Sequence, residues 1–129
     1  MIAIDTNVLV RLLIGDNTAQ YKACLNLFSK EEIFIPDSVV LESEWVLRAA
    51  YDLEPAEVCN SFKKVFGLAN VSLANGPLVA QAISWHEAGL DFADAFHLAQ
   101  SQGQDSLKTF DGEFIKRAKT LTEFRVEKP

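Results

Sequence analysis

Four carboxylates in apolar surroundings are the side chains of this sequence best suited to chemistry. They are Asp5, Glu42, Asp94 and Asp111. Asp5 lies in the opening segment MIAIDTNVLV, which otherwise reads as buried, and an ionised side chain is costly there unless something offsets its charge. Taken alone, an Asp before a helix has an ordinary explanation, because it caps the helix by accepting a backbone N–H. That explanation applies to Asp5 and to Asp111.

The four acids together predict a metal site. Four carboxylates close to one another cannot all stay ionised without a cation. Ligand sets made only of oxygen select a hard divalent ion, Mg²⁺ or Mn²⁺, over zinc. We therefore interpret Asp5, Glu42, Asp94 and Asp111 as metal ligands and as the catalytic acids.

The segment VVLESEWVLR contains two acids, of which one is expected to face the site. Helical periodicity places Glu42 on a face with Trp45 and Val46, which predicts an apolar stripe turned toward the core. Glu44 points elsewhere and has Arg48 four residues on, as in a surface ion pair. The prediction is Glu42 as the functional acid, with Glu44 as the alternative metal ligand.

The segment GLDFADAFHLA holds two further acids at the start of a predicted helix. Asp91 is a natural N-cap, and Asp94 occupies the third helical position, where the helix dipole favours a negative charge. Capping is a strong explanation for Asp91. It is weaker for Asp94, which is embedded among apolar residues.

Strands and helices alternate along the chain. Strands are predicted over 2–5, 33–36, 71–73 and 107–110. Helices are predicted over 6–14, 18–29, 55–66, 77–89, 92–101 and 113–119, and a further helix runs from a cap at Asp37 or Ser38 to about residue 51. The tail is predicted to be a short strand or irregular. This order predicts an α/β fold with a mostly parallel sheet, which binds ligands beyond the carboxyl ends of its strands. Asp5 and Asp111 both end strands, so we expect them at the same edge of the sheet.

The bulk properties narrow the class of protein. A length of 129 residues predicts one domain over 1–129, and the net charge of -6 argues weakly against non-specific nucleic-acid binding. The spacing of Cys24 and Cys59 matches no metal or redox motif, so we expect reduced, buried side chains. With neither a signal peptide nor a membrane-spanning run in view, we expect a soluble, cytoplasmic protein with no membrane partner.

Two other functions fit the length and the alternation of elements. A receiver-type signalling domain would need an acidic pair after the first strand, where this chain has only Asp5. A non-catalytic α/β interaction module stays open as an alternative. A metal-free ribonuclease with a histidine pair is disfavoured, because His86 and His97 are the only histidines, and His97 is better explained as a packed or surface residue, whereas His86 has no assigned role.

Four motifs in order resemble a known family. DTNVL, E-x-x-WVLR, DFADAFHLA and TFD together resemble the PIN-domain ribonucleases, specifically the VapC-like toxins of toxin–antitoxin pairs, over nearly the whole chain. The resemblance implies a PIN-like three-layer α/β/α fold with a mostly parallel central sheet. It carries the metal-binding acids of the family onto Asp5, Glu42, Asp94 and Asp111.

The resemblance also implies an activity and partners. The expected activity is that of a type II toxin, an endoribonuclease whose one or two Mg²⁺ ions (or Mn²⁺) activate water and leave a 5′-phosphate and a 3′-hydroxyl. Asn7, Thr109 and Asp91 would support the site through hydrogen bonds, and Arg11 and Arg117 are candidates for contact with substrate phosphates. The expected partners are an RNA substrate, a cognate VapB-like antitoxin and a second copy in a homodimer. The RNA target, the number of metals and the antitoxin stay open.

Overall fold

The computed structural model describes residues 1–16 and 18–129. Its contacts divide the chain into two compact units, Met1–Gly76 (unit 1) and Pro77–Pro129 (unit 2). Each unit has buried side chains and a small parallel sheet. That residues 1–129 act as a single domain stays a prediction.

Unit 1 is built on three parallel strands with four helices. Its elements are β1 (Ile2–Ala3), α1 (Thr6–Ile14), α2 (Thr18–Lys30), β2 (Ile33–Ile35), α3 (Asp37–Ala49), α4 (Pro55–Phe66) and β3 (Val71–Leu73). The strand order is β1-β2-β3, with Ile2 opposite Ile33 and Ile33 opposite Val71. Helix α1 packs against α2 and α3. The predicted parallel pairing is confirmed for these strands.

Local capping fixes where the helices of unit 1 begin. Asp5 is the N-cap of α1, its carboxylate accepting the Val8 N–H at 3.1 Å, and α1 ends at Gly15, which adopts a left-handed φ of 68°. Helix α3 begins at Asp37 without a side-chain cap at Pro36. The prediction that Asp37 or Ser38 caps this helix was therefore wrong, because Asp37 already lies in its first turn.

Most of the N-terminal segment around β1 lies outside the buried core of unit 1. Its fully buried side chains include Leu9, Ile33, Ile35, Val40, Leu47 and Phe62. Ile2 is 39% exposed and Asp5 is exposed, whereas Ile4 is buried. The prediction of a fully buried first strand, with Asp5 in an apolar setting, was wrong because β1 lies at the edge of its three-stranded sheet.

Unit 2 contains three helices and a pair of short parallel strands. Its elements are α5 (Gly76–Glu87, whose first residue is the last of unit 1), α6 (Phe92–Gln100), β4 (Leu107–Lys108), α7 (Gly112–Leu121) and β5 (Val126–Glu127). Leu107 lies opposite Val126, so the tail forms a strand, one of the two predicted alternatives. Strand β4 is shorter than the predicted 107–110, because the chain turns at Thr109, whose hydroxyl accepts the Asp111 N–H at 3.0 Å.

Aromatic packing forms the core of unit 2. The rings of Phe92 and Phe96 meet edge to face with centroids 5.9 Å apart, and His86 contacts Phe92 in the same manner at 5.4 Å. The His86 Nδ1 lies 2.7 Å from the Leu90 carbonyl oxygen. Trp85 is buried in this unit. His86 is thus a packing residue of unit 2.

Two further sequence predictions can be compared with the structure. Cys24 and Cys59 are reduced and buried, as predicted. None of the helices in the described part of the chain combines the length and the apolar character that crossing a bilayer requires.

Candidate functional site

Unit 1 brings two of the predicted acids to one cavity. Asp5 and Glu42 (the unit-1 acid pair) line a cavity of about 670 Å³ between α1 and α3, with Asn7 on the same wall. Asp5 lies just beyond β1, at the carboxyl end where ligands of parallel sheets bind. Thr6, the first residue of α1, donates its hydroxyl hydrogen to the Glu42 carboxylate. The hydrogen bond therefore holds Glu42 beside the residue that follows Asp5.

The helical-face argument for Glu42 was wrong, although Glu42 does lie at the cavity. Glu42 is exposed and Trp45 is 59% exposed, whereas Glu44 is only 4% exposed. The buried face of α3 is set by Val40, Glu44 and Leu47, spaced four and three residues apart. Glu44 is thus buried rather than on the surface, and its Oε2 accepts the Arg48 Nε–H at 2.9 Å.

Unit 2 holds three of the predicted site acids at the starts of two helices. Asp91 caps α6 by accepting the Asp94 N–H at 3.1 Å, and Asp111 caps α7 by accepting two backbone N–H groups at 3.0 and 3.2 Å. We call Asp91, Asp94 and Asp111 the unit-2 acid group. The capping explanation from the sequence is confirmed for Asp91 and Asp111. Capping fixes these two carboxylates by local bonds and leaves oxygen lone pairs for other ligands.

Electrostatics shows that the unit-2 acid group is crowded. Asp94 is half-buried, and burial raises its pKa, with further increases from the negative charges of Asp91 and Asp111. The exposed His97, one turn further along α6, acts in the opposite direction. The negative charges of Asp91 and Asp111 therefore act on the Asp94 carboxyl, and a cation beside Asp94 would relieve that repulsion.

The two predicted phosphate-binding arginines have different surroundings. Arg11 lines the unit-1 cavity, and its Nη1 donates to Asp16 at 3.0 Å and to the Tyr51 hydroxyl at 2.9 Å. Arg117 is exposed and lies 3.4 Å from Glu113 in an ion pair on α7. Arg11 thus shares a cavity with the unit-1 acid pair, and Arg117 lies within unit 2.

The donors of both groups suit a hard divalent ion. Among residues 1–16 and 18–129, no three or more His, Cys, Asp or Glu side chains form a group that could hold a metal ion. Mg²⁺ nevertheless binds proteins through as few as one or two carboxylates, with waters and substrate phosphates completing its shell. The unit-1 acid pair and the crowded unit-2 acid group supply such oxygens. That Asp5, Glu42, Asp94 and Asp111 share one site stays a prediction.

Sequence reasoning missed two side chains at the unit-1 cavity. Thr6 follows Asp5 directly, so the D-T step at a helix start was a usable signal for a hydroxyl near the acid. Tyr51 contacts Arg11 across 40 residues of sequence. No pattern in the sequence indicates that contact, because it depends on how α1 and α3 pack.

The chain is similar to a known family and to a solved structure. Residues 2–120 match the family model of the PIN domain. Among solved structures, the chain is similar to the crystal structure of Mycobacterium tuberculosis VapC20, described as a sarcin-ricin loop cleaving toxin, with 19% identity and a TM-score of 0.46, over 97% of this chain and 99% of that one. No curated protein matches the chain. The family match confirms the predicted fold class, a PIN-like three-layer α/β/α fold with a mostly parallel sheet.

Proposed function

From the premise that this chain belongs to the PIN-domain family, a family of nucleases, we propose that it is a metal-dependent endoribonuclease. The observation that carries the proposal is at Asp94, whose pKa is raised by burial and then by the negative charges of Asp91 and Asp111. Repelling carboxylates of this kind are stabilised by a cation. The open cavity beside Asp5 and Glu42 gives room for a substrate.

The proposed metal ligands are Asp5, Glu42, Asp94 and Asp111. When bound, Mg²⁺ or Mn²⁺ would neutralise charge on the phosphate and lower the pKa of a coordinated water. The chain itself fixes the ligands: one oxygen of Asp5 accepts the Val8 N–H, and Glu42 is held by Thr6. Fixed carboxylates lose less entropy on binding a ligand than free ones do.

Hydrogen-bonding residues around these acids are proposed to orient them. Thr109 accepts the Asp111 N–H with its hydroxyl oxygen, which leaves the hydroxyl hydrogen for donation to a carboxylate or a water. Asp91 binds the backbone of Asp94, and Asn7 lies exposed on the unit-1 cavity. Arg11 and Arg117 are proposed to contact phosphates of the RNA.

The proposed reaction is hydrolysis by water. A water oxygen forms the new bond to phosphorus, the P–O3′ bond breaks, and the leaving 3′-oxygen takes up a proton. The products are a 5′-phosphate and a 3′-hydroxyl. Because the substrate 2′-hydroxyl takes no part, a single 2′-deoxy substitution at the cleaved position should leave the chemistry intact.

The biological setting is also part of the proposal. The four ordered motifs that resemble VapC-like toxins support a role as the toxin of a type II toxin–antitoxin system in the cytoplasm. The proposed partners are an RNA substrate, a VapB-like antitoxin that blocks the acidic site, and a second copy of the chain in a homodimer.

The two acids of α3 provide a matched test of this function. Glu42→Gln should lower RNA cleavage in Mg²⁺ by at least about 100-fold, because partners outside the ligand set already cost roughly 10- to 100-fold. Glu44→Gln weakens the bond of a buried carboxylate to Arg48 and should lower the free energy of unfolding by roughly 1–3 kcal/mol, with cleavage by the folded protein largely kept. End-labelled RNA and thermal unfolding measure the two effects.

Two outcomes would reject the assignment. One is equal cleavage by the wild type and Glu42→Gln at equal folded fractions. The other is a product with a 2′,3′-cyclic phosphate, since that requires attack by the substrate's own 2′-hydroxyl.

A further inference from the structure

The unit-1 cavity is a groove with two different ends. Thr6 contacts Glu42 at one end, and Arg11 contacts Tyr51 at the other. Arg11 lies five positions after Thr6 on α1, a rise of about 7.5 Å along the helix. The cavity lining also includes three apolar side chains, Val10, Val39 and Val46. The groove therefore joins an acidic end to a basic end and has an apolar lining.

The guanidinium at the basic end has a hydrogen-bond donor to spare. Its Nη1 donates to both Asp16 and Tyr51, which fixes the plane of the group. Its Nε–H is buried and has no hydrogen-bond partner in the part of the chain that the structure describes. A buried donor on a charged group is costly to leave unpaired, by about 1–3 kcal/mol or more. An anionic oxygen would satisfy it.

The charges of the groove determine where an anion would bind. Asp5 and Glu42 repel an anion at the acidic end, whereas Arg11 attracts one at the basic end. Guanidinium groups match the geometry of phosphate oxygens and bind them with two parallel hydrogen bonds. Asp16 and Tyr51 both accept hydrogen bonds from Nη1, and the Nε–H has no partner among the described residues.

We propose that this groove is a nucleotide subsite, in which Arg11 binds the phosphate next to the one that is cleaved. The sugar or base of the intervening nucleotide lies on the apolar lining formed by the three valines. Tyr51 and Asp16 are positioning residues that hold the guanidinium toward the groove. The volume of about 670 Å³ lies within the range of small-ligand sites, about 300–1,000 Å³. The inference rests on the proposed function, since it assigns a subsite for the same RNA.

A binding experiment without metal tests the subsite apart from catalysis. Fluorescence anisotropy with the full chain in EDTA compares RNA trinucleotides with and without a terminal phosphate, at the 5′ end and at the 3′ end separately. For the wild type, the phosphate at one end should tighten binding by about 10-fold, as for a hydrogen bond between charged groups. Arg11→Gln should abolish that gain and reduce the slope of log K against log salt by about 0.7.

Two further variants separate positioning from charge. Tyr51→Phe keeps the ring and removes the hydroxyl, so the phosphate gain should fall about 3-fold while the salt slope stays that of the wild type. Lys30→Gln removes one positive charge from the exposed end of α2 and should leave the phosphate gain unchanged. Thermal unfolding confirms that each variant is folded before it is titrated.

The outcomes keep this inference and the proposed function apart. If Arg11→Gln retains the phosphate gain, or the wild type shows none at either end, the subsite is overturned, whatever the protein does to RNA in Mg²⁺. If the gain depends on Arg11 but the wild type does not cleave RNA in Mg²⁺, the subsite stands as an RNA-binding site and the catalytic proposal alone fails.

Discussion

Asp5 and Glu42 in unit 1 are exposed, and each accepts a hydrogen bond from the protein, whereas Asp94 in unit 2 is half-buried beside two other carboxylates. The unit-1 acid pair is held by a backbone N–H and a threonine hydroxyl. In the unit-2 acid group, Asp91 accepts the Asp94 N–H, and Asp111 accepts backbone N–H groups at the start of α7. Both groups thus offset charge with protein donors, and they differ at Asp94, whose pKa is raised by burial and then by the charges of Asp91 and Asp111.

The unit-1 acid pair is held in place by hydrogen bonds, whereas in unit 2 the Asp94 carboxyl is repelled by neighbouring carboxylates. Without a cation, the charge on Asp94 opposes folding of unit 2, as the raised pKa of its carboxyl shows. A substitution in either acidic group should therefore abolish activity. The stabilisation by a metal should come mainly from unit 2.

The largest expected effect is the loss of cleavage from either group. Asp5→Asn and Asp94→Asn should each lower RNA cleavage in Mg²⁺ by at least about 100-fold, if both supply ligands. Stability distinguishes them: Asn caps a helix about as well as Asp, so Asp5→Asn should leave the melting temperature in EDTA nearly unchanged. End-labelled RNA and thermal unfolding measure the pair of effects.

A control for this comparison lies outside both groups. Asp105→Asn alters an exposed acid in the loop before β4 and should keep cleavage within about 2-fold of the wild type, as for surface substitutions generally. Full activity of either Asp5→Asn or Asp94→Asn would confine the chemistry to the other unit.

Metal binding should stabilise the protein chiefly through the unit-2 acid group. At 100 times its dissociation constant, Mg²⁺ that binds only the folded state adds about 2.7 kcal/mol, or roughly 10 °C in melting temperature for a chain of this size. Asp94→Asn should lose most of this rise, and Asp5→Asn should keep a larger part of it. Differential scanning fluorimetry with increasing Mg²⁺ measures the melting temperatures of the wild type, Asp94→Asn and Asp5→Asn.

Ionic strength is the control for the metal titration. KCl at matched ionic strength should not reproduce the rise, because screening acts on all exposed charges alike. An equal Mg²⁺-induced rise in the wild type and in Asp94→Asn would place the cation away from the unit-2 acid group.

The Thr6 hydroxyl should raise the cleavage rate, because it holds the Glu42 carboxylate in place. Thr6→Ala removes the donor that holds the Glu42 carboxylate and should lower cleavage by about 10-fold, at the lower end of the range for residues that orient a ligand. Thr6→Ser retains the hydroxyl and should restore most of the rate. Steady-state cleavage compares the three proteins at equal folded fractions. A Thr6→Ser protein as slow as Thr6→Ala would show that the methyl group matters rather than the hydrogen bond.

Local signals in the sequence were sufficient for much of the fold. Pro55 at the first helical position predicted the start of α4, and 71–73 was predicted as the strand that the structure shows. The caps at Asp91 and Asp111 were likewise predictable, because a cap needs only the residue and the next turn of backbone.

Features that depend on packing were not predictable in the same way. The apolar run at the N-terminus does not reveal that β1 is an edge strand, so its exposure was missed. Helix α3 has apolar residues on two sides, and periodicity favoured the side of Trp45 over the side of Leu47. The bond from Thr6 to Glu42 joins residues 36 positions apart, which only the packing of α1 on α3 brings together.

The smallest expected effect is a pH dependence of stability that has opposite signs at two carboxyls. The pKa of Asp94 is raised in the folded protein, so its contribution to stability is full below its unfolded value, about 3.9, and is lost as the pH rises through the folded value. The melting temperature of Asp94→Asn relative to wild type in EDTA should therefore increase from pH 4 to pH 7, by roughly 1–3 °C.

Glu127 provides the matched control of opposite sign. The hydrogen bond from Lys108, together with its charge, lowers the pKa of Glu127, so this contribution is present above the unfolded value and is lost as the pH falls. Glu127→Gln should accordingly fall below the wild type at pH 7 and approach it near pH 4. Titrating groups that do not interact with the substituted carboxyl are common to the three proteins, so their effects cancel in the differences. Parallel curves for Asp94→Asn and wild type would mean that the unit-2 carboxylates do not repel one another, and the contrast between the two acidic groups would then have no energetic basis.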